Sequence, residues 1–219
     1  MQKNSLKNIK GIIFDLDGTL YHMKWYMKPI MTLLMFPNIL RLPKYMKIRK
    51  QFSNKEMPSH EELMNSVASK LGNNKENMKN WIERKFYPSF IKSLYFLKGS
   101  RPKLNKTLET LKNSNIKLAV LSDFAYVNER LNILDIDQNL FDITISSETE
   151  GALKPSPKPF NTILQRWNLS PEEILIVGDR DDTDGEAANI TGMNFLKISD
   201  KKDEISNSWE NIRKILLKL

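Results

Sequence analysis

The sequence predicts an α/β protein built on a doubly wound parallel sheet, with a small helical module inserted after the first strand. Three observations predict it. From Pro102 onward, short apolar runs alternate with stretches of helical periodicity, the pattern of strands buried on both faces of a parallel sheet. One further apolar run, Ile12 to Phe14, stands near the N-terminus and stops abruptly at Asp15-Leu16-Asp17-Gly18-Thr19. Between the two lies a segment of different texture, Leu20 to Ser100, holding most of the methionines and much of the aromatic content.

In chain order, Ile12 to Phe14 reads as the first strand. In the inserted segment, apolar residues recur at helical spacing, as in Leu63, Val67, Leu71 and in Met78, Ile82, Phe86. Ser59 with Glu62 has the form of a capping box. Pro29, Pro37, Pro43, Pro58 and Pro88 divide the segment into short helices. After Pro102, a helix is expected over Lys103 to Lys112 and a second strand over Ile116 to Leu121. Next come a helix near Tyr126 to Leu134 and a strand from Ile143 to Ile145. A helix from Phe160 to Trp167 follows Pro157 and Pro159, which suit a helix start. Ile174 to Val177 is an apolar strand ending in Gly178-Asp179. A helix from Gly185 to Ile190 and a strand from Phe195 to Ile198 follow. An amphipathic helix closes the chain around Trp209, Ile212, Ile215, Leu216 and Leu219. The expected division is a core of residues 1–20 and 101–219, with residues 21–100 as the insert.

At 219 residues, with 40% hydrophobic and 27% charged side chains, the chain suits one ordinary domain plus a small insert. It holds no cysteine, so disulfides and thiolate metal sites are excluded. A metal would be held by oxygen or by the two histidines, which points to a hard cation such as Mg²⁺. Met1 to Lys10 lacks the apolar stretch of a signal peptide, and no run has the length of a membrane span. A cytoplasmic location is the expectation. The net charge of +8 and pI near 9.4 would suit a polyanionic partner. Lysine is spread along the whole chain and no arginine-rich block appears, so compositional bias and a phosphorylated substrate account for the excess better than nucleic acid does.

Four segments carry the polar chemistry. The first strand ends in Asp15 and Asp17, and alternation puts both side chains on one side of an extended segment. Two like charges that close call for a cation or a shared proton. The second strand ends in Ser122 and Asp123. A loop brings Lys154 in Leu153-Lys154-Pro155-Ser156-Pro157-Lys158-Pro159-Phe160. The strand at Ile174 leads to Asp179, Asp181, Asp182 and Asp184. In a parallel sheet these ends converge on one edge, where ligands bind. Carboxylates there suit Mg²⁺, while lysine and hydroxyl donors suit phosphate oxygens. Each has a plainer reading. Asp-Leu-Asp-Gly is also a turn, Ser122 a helix cap, and Lys158 a rival to Lys154.

These segments, in this order, resemble the four signature regions of the haloacid dehalogenase (HAD) superfamily, over about Lys10 to Leu20 and Pro102 to Leu219. Phe14-Asp15-Leu16-Asp17-Gly18-Thr19 resembles the first and Val120-Leu121-Ser122-Asp123 the second. Lys154-Pro155-Ser156-Pro157 with Phe160 resembles the third, and the following Pro-x-Pro favours Lys154 over Lys158. Val177-Gly178-Asp179-Arg180-Asp181-Asp182-Thr183-Asp184 resembles a longer-spaced form of the fourth. The resemblance implies a Rossmann-like core with an inserted helical C1 cap, as in phosphoglycolate phosphatase-like members.

The resemblance also implies roles. Asp15 would be the nucleophile, forming an aspartyl phosphate. Asp17 would be the general acid and base, and its repulsion from Asp15 is expected to favour the protonated form. Mg²⁺ would sit among Asp15, the Asp17 backbone carbonyl and Asp179, with Asp184 ligating directly or through water. Thr19, Ser122 and Lys154 would bind the transferring phosphoryl group. Asp123 would lie near it or be structural. Asp181 and Asp182 would be turn and cap residues, and His22 would stand outside the chemistry. Dehalogenase-type members lack the second aspartate, so Asp17 argues against that activity. The expected function is hydrolysis of a small phosphorylated metabolite by a monomer or homodimer. The alternatives are a sugar-phosphate mutase and a phosphatase acting on a lipid-borne or nucleic-acid phosphate.

The insert adds one ambiguity. Trp25 to Leu40 is aromatic and apolar, flanked by Lys24 and Lys28 before it and Arg41, Lys44, Lys47, Arg49 and Lys50 after. That pattern marks either an interfacial segment on an anionic membrane or a helical cap burying a Met-rich core under solvated lysines. The prolines favour the second, with Trp25 and Tyr26 then expected to face the site.

Overall fold

The first strand, β1 (Gly11–Phe14), is buried throughout, as a strand must be when helices cover both faces of its sheet. The structure is a computed structural model that describes residues 8–97, 99–201 and 203–219. β1 pairs in parallel with β2 (Lys117–Ser122) on one side and β4 (Ile174–Gly178) on the other. β3 (Ile143–Ser146) extends the sheet beyond β2, and β5 (Asn194–Lys197) extends it beyond β4. The five-stranded order is β3-β2-β1-β4-β5, all parallel. Phe14 lies level with Val120 and with Val177. The residues after these three therefore emerge side by side at the carboxyl edge.

Alternation along the strands sorts the core into two faces. Ile12, Phe14, Leu118, Val120, Leu175 and Val177 pack on one side. Ile13, Ala119, Leu121 and Ile176 pack on the other, against Phe160, Ile163 and Trp167. The first face is covered by α6 (Leu104–Asn113), α7 (Val127–Ile133) and α10 (Trp209–Leu216), and the second by α8 (Lys158–Trp167) and α9 (Glu186–Thr191). The elements expected after Pro102 occur in the expected order, with ends shifted by a residue or two, and α10 stops at Leu216.

Among the described residues, five helices lie between β1 and α6: α1 (Met27–Leu34), α2 (Arg41–Lys50), α3 (His60–Leu71), α4 (Lys75–Trp81) and α5 (Tyr87–Leu94). Ser59 caps α3 by accepting from the Glu62 amide, half of the reciprocal box. Pro88 does not break the chain into separate helices. A wider turn, Ile82–Phe86, runs directly from α4 into α5, since Pro88 has no amide to donate back into the preceding turn. Tyr45, Met64, Val67, Trp81, Ile82 and Phe86 are buried and continuous with the core of the first sheet face.

Candidate active site

Asp15 begins where β1 ends. Its amide donates to the Val177 carbonyl at 2.9 Å, which fixes the residue at the centre of the sheet edge. Lys154 reaches this point from the loop before α8, its Nζ donating to Asp15 Oδ1 at 2.5 Å and to Asp184 Oδ1 at 2.7 Å. All three side chains are buried. Carboxylate oxygens of Asp15, Asp179 and Asp184 lie within 4.8 Å of one another. The other Asp15 oxygen, Oδ2, is buried without a hydrogen-bond partner.

Two glycines make this crowding sterically possible. Gly18 has φ +91°, and a Cβ there would stand 2.5 Å from Asp179 Oδ2. A Cβ on Gly178 would stand 2.4 Å from the Asp184 carboxyl. Side chains at either position would displace the carboxylates.

Charge does not balance within the cluster. Burial, with Asp184, Asp17 and Asp179 adding to it, pushes Asp15 well above the usual carboxylate range against the pull of Lys154. Burial and Asp184 push Asp179 up to about 6. Burial alone would lower Lys154, but Asp15 and Asp184 hold it well above the ordinary lysine value, so it stays an ammonium. One ammonium faces three carboxylates, one of which has a free oxygen. That oxygen-rich, electron-rich set fits a hard divalent cation.

Asp17 points into a different set of partners. Its Oδ1 accepts from the Tyr21 hydroxyl at 2.7 Å, and its Oδ2 accepts from Ser122 Oγ at 2.8 Å. Arg130, fully buried on α7, donates to both oxygens at 2.8 and 2.7 Å. Burial alone would raise its pKa, but Arg130, Tyr21 and Ser122 hold Asp17 below the ordinary value. The expected protonated carboxyl is thus an ionised one. The attraction of an adjacent guanidinium outweighs repulsion from Asp15.

The other expected residues lie around this pair of clusters. Thr19 is fully buried, with its hydroxyl unpartnered. Asp123 Oδ1 accepts from Ser147 Oγ at 2.6 Å and from the Lys154 amide at 2.9 Å, so it ties the lysine loop to the end of β2. Asp181 pairs with Lys197 and Asp182 with Arg180, both near the surface. His22 pairs with Asp200. Trp25 is 83% exposed, and Tyr26 donates its hydroxyl to the Phe96 carbonyl at 3.2 Å.

Among known protein families, the model described as haloacid dehalogenase-like hydrolase matches residues 12–198. The chain belongs to the haloacid dehalogenase-like hydrolases. It is 29% identical over 204 residues to the glyceraldehyde 3-phosphate phosphatase of Methanocaldococcus jannaschii, covering 87% of this chain and 85% of that one. A shorter match, 39% over 93 residues, relates it to the phosphoglycolate phosphatase of Aquifex aeolicus, over 42% of this chain and 43% of that one. Among solved structures, a magnesium-bound HAD-hydrolase of Bacillus subtilis superposes with TM-score 0.66 at 17% identity, over 96% of this chain and 99% of that one. With this family and phosphatases for relatives, the chain is an enzyme, a HAD-like phosphatase.

Several residues that shape this HAD-like site escaped the motif reading. Arg130 is the foremost. Val127, Arg130, Leu131 and Leu134 follow a helical apolar stripe, so an arginine on that stripe was a signal of a buried partner. Tyr21 lay one turn beyond the first motif with nothing to single it out. Arg101 Nε donates to the Thr19 carbonyl at 3.0 Å and its NH2 to the Gly18 carbonyl at 2.7 Å, while it also pairs with Asp200. It thereby pins the turn that follows Asp15. Arg49, one of the cations that follow Trp25 to Leu40 in the sequence, is buried against Glu148 and donates to the Asp123 carbonyl at 2.7 Å.

Among the described residues, no helix is long and apolar enough to cross a membrane.

Proposed function

We propose that this chain is a Mg²⁺-dependent phosphomonoesterase that works through an aspartyl phosphate on Asp15, with a small phosphorylated carboxylic acid or aldehyde as substrate. The observation that carries the reading is the unpartnered, buried Oδ2 of Asp15, set beside an ammonium and two further carboxylates. The relatives' names, glyceraldehyde 3-phosphate phosphatase and phosphoglycolate phosphatase, supply the substrate class.

Asp15, Asp179 and Asp184 would hold the cation through their carboxylates and Asp17 through its backbone carbonyl. Bound there, the ion would neutralise charge on Asp15 and on the phosphoryl oxygens that approach it. In the first step Asp15 Oδ2 attacks phosphorus, and the bond from phosphorus to the substrate oxygen breaks. Asp17 gives that oxygen its proton. In the second step water attacks phosphorus and passes its proton to Asp17, while the bond to Asp15 breaks and inorganic phosphate leaves. Lys154 and Ser122 donate to the phosphoryl oxygens, with the buried, unpartnered hydroxyl of Thr19 as a further donor beside them.

Because Asp17 is ionised in its cluster with Arg130, it must take up a proton from solvent as it turns from the guanidinium, before it donates that proton to the leaving oxygen. A second aspartate at this position also favours phosphate esters over carbon–halogen bonds, whose leaving group needs no proton. The helices between β1 and α6 act as the cap. They already reach the lysine loop: the Met57 amide donates to the Gly151 carbonyl at 2.8 Å, and Ser156 Oγ donates to Glu56 at 2.8 Å. A panel of phosphorylated metabolites assayed with Mg²⁺ tests the reading. Release of phosphate from phosphoglycolate or glyceraldehyde 3-phosphate, abolished by EDTA and by Asp15→Asn, is expected. Metal-independent turnover, or full turnover by Asp15→Asn, overturns it.

A further inference from the structure

The outer side of the insert leaves apolar surface in water. Trp25 is 83% exposed, Leu33 77%, Phe36 68% and Leu40 84%. Pro29, also exposed, and Leu33 stand four apart on α1, with Trp25 four residues before Pro29 and with Phe36 and Leu40 in the turns that follow the helix. Beyond α1 the chain continues in turns, with Phe36 N donating to Leu33 O, Asn38 N to Met35 O and Arg41 N to Asn38 O, and the Phe36–Pro37 bond between them is cis. The opposite stripe, Met27, Met31 and Met35, is the one packed on the core. α1 is therefore apolar on both sides, although only one side has a protein partner. Tyr95 and Phe96 extend the patch past Trp25, joined to it through the bond from Tyr26 to Phe96. Exposed apolar side chains grouped in this way mark an interaction site.

Its surroundings select the partner. From Gly18 to Lys55 the sequence has eight lysines and arginines and no acidic residue. Arg49 is committed to Glu148 and Lys44 to the Leu71 carbonyl. Lys28, Lys47 and Lys50 are exposed, with Lys24 and Arg41 partly so. We infer that this face seats the protein on an anionic phospholipid bilayer, with the exposed apolar side chains of Trp25, Leu33, Phe36 and Leu40 in the acyl boundary and the lysines at the headgroups. A second copy of the chain fits worse. A two-fold interface would set this acid-free basic rim against itself. Nucleic acid fits worse too, because Leu33 and Leu40, exposed to much the same extent as Trp25 and Phe36, offer no aromatic face for base stacking. The inference concerns where the enzyme sits and stands apart from what it hydrolyses.

Co-sedimentation of the whole chain with vesicles tests it, comparing equal parts phosphatidylcholine and phosphatidylglycerol with phosphatidylcholine alone. The mixed vesicles should pellet the protein at low salt, with binding weakened about tenfold or more at high salt. Trp81, Trp167 and Trp209 are buried, so a blue shift of tryptophan emission on binding should come from Trp25 and vanish in Trp25→Phe. Leu33→Asp with Leu40→Asp should abolish pelleting while leaving the circular dichroism spectrum and hydrolysis of a generic aryl phosphate unchanged. Absence of pelleting overturns the inference, as does pelleting that survives the double substitution or is equal on phosphatidylcholine alone. Self-association dissolved by the same substitutions would assign the face to a second copy instead.

Discussion

At the scale of residues, Asp15 and Asp17 are two positions apart and meet opposite electrostatic fates. Asp15 is pushed up by burial and by neighbouring carboxylates, whereas Asp17 is held down by Arg130, Tyr21 and Ser122. Arg130 is fully buried, so Arg130→Met should leave an unpaired buried carboxylate and cost about 3–5 kcal/mol in urea denaturation. Asp17→Asn should recover much of that loss, and a double-mutant cycle measures the coupling. Additive effects would mean that the pair does not interact. Asp179 gives a pH prediction with a definite sign. Its pKa is raised from 3.8 to about 6, so the folded chain binds that proton more tightly than the unfolded chain does. The stability this adds is present at low pH and is lost as pH rises through about 6. Metal-free protein should therefore lose on the order of 1–2 kcal/mol between about pH 4 and 6, discounted for partial exposure of the carboxyl. Asp179→Asn should flatten that slope. Stabilisation by added Mg²⁺ should grow across the same window, as Asp179 loses its proton. Thermal melts at a series of pH values, with and without Mg²⁺, check all three.

At the scale of elements, the insert is fastened to the sheet edge through one buried ion pair. Arg49 on α2 meets Glu148 just past β3, and Tyr87 on α5 donates to the same carboxylate at 2.6 Å. Arg49 also lies with its guanidinium carbon 4.4 Å from the Phe124 ring centroid. Arg49→Met should destabilise by about 3–5 kcal/mol by stranding Glu148, and Arg49→Met with Glu148→Leu should be milder than the single change. Equal destabilisation by the two variants would mean that packing, not charge, is what Arg49 supplies. The strand ends are just as constrained. Gly178→Ala should displace Asp184, given the 2.4 Å separation a Cβ there would have. Isothermal titration should then show Mg²⁺ affinity falling about tenfold or more, with little change in the far-ultraviolet spectrum.

At the scale of the whole molecule, the order of strands and helices in the core was legible because buried parallel strands read as apolar runs whatever surrounds them. Asp15, Asp179, Asp184 and Lys154 were legible together because parallel strands place their ends on one edge. The partners of Asp17 were not. Arg130 and Tyr21 act through contacts across the fold, and neither belongs to a motif. The sign of the Asp17 shift went with them, since it depends on a cation some 113 residues further along the chain. The insert was legible as helical but not in its exposure, because one apolar helix pattern serves equally for a face packed on protein and a face left to solvent. The claim on which the rest depends is covalent catalysis by Asp15. Acid quenching during turnover of phosphoglycolate or glyceraldehyde 3-phosphate with Mg²⁺, followed by peptide mass spectrometry, measures it directly. The account predicts a phosphoryl group on the peptide containing Asp15, absent with EDTA and absent in Asp15→Asn. Steady phosphate release with no such adduct, and with Asp15→Asn as active as the unaltered chain, would contradict it.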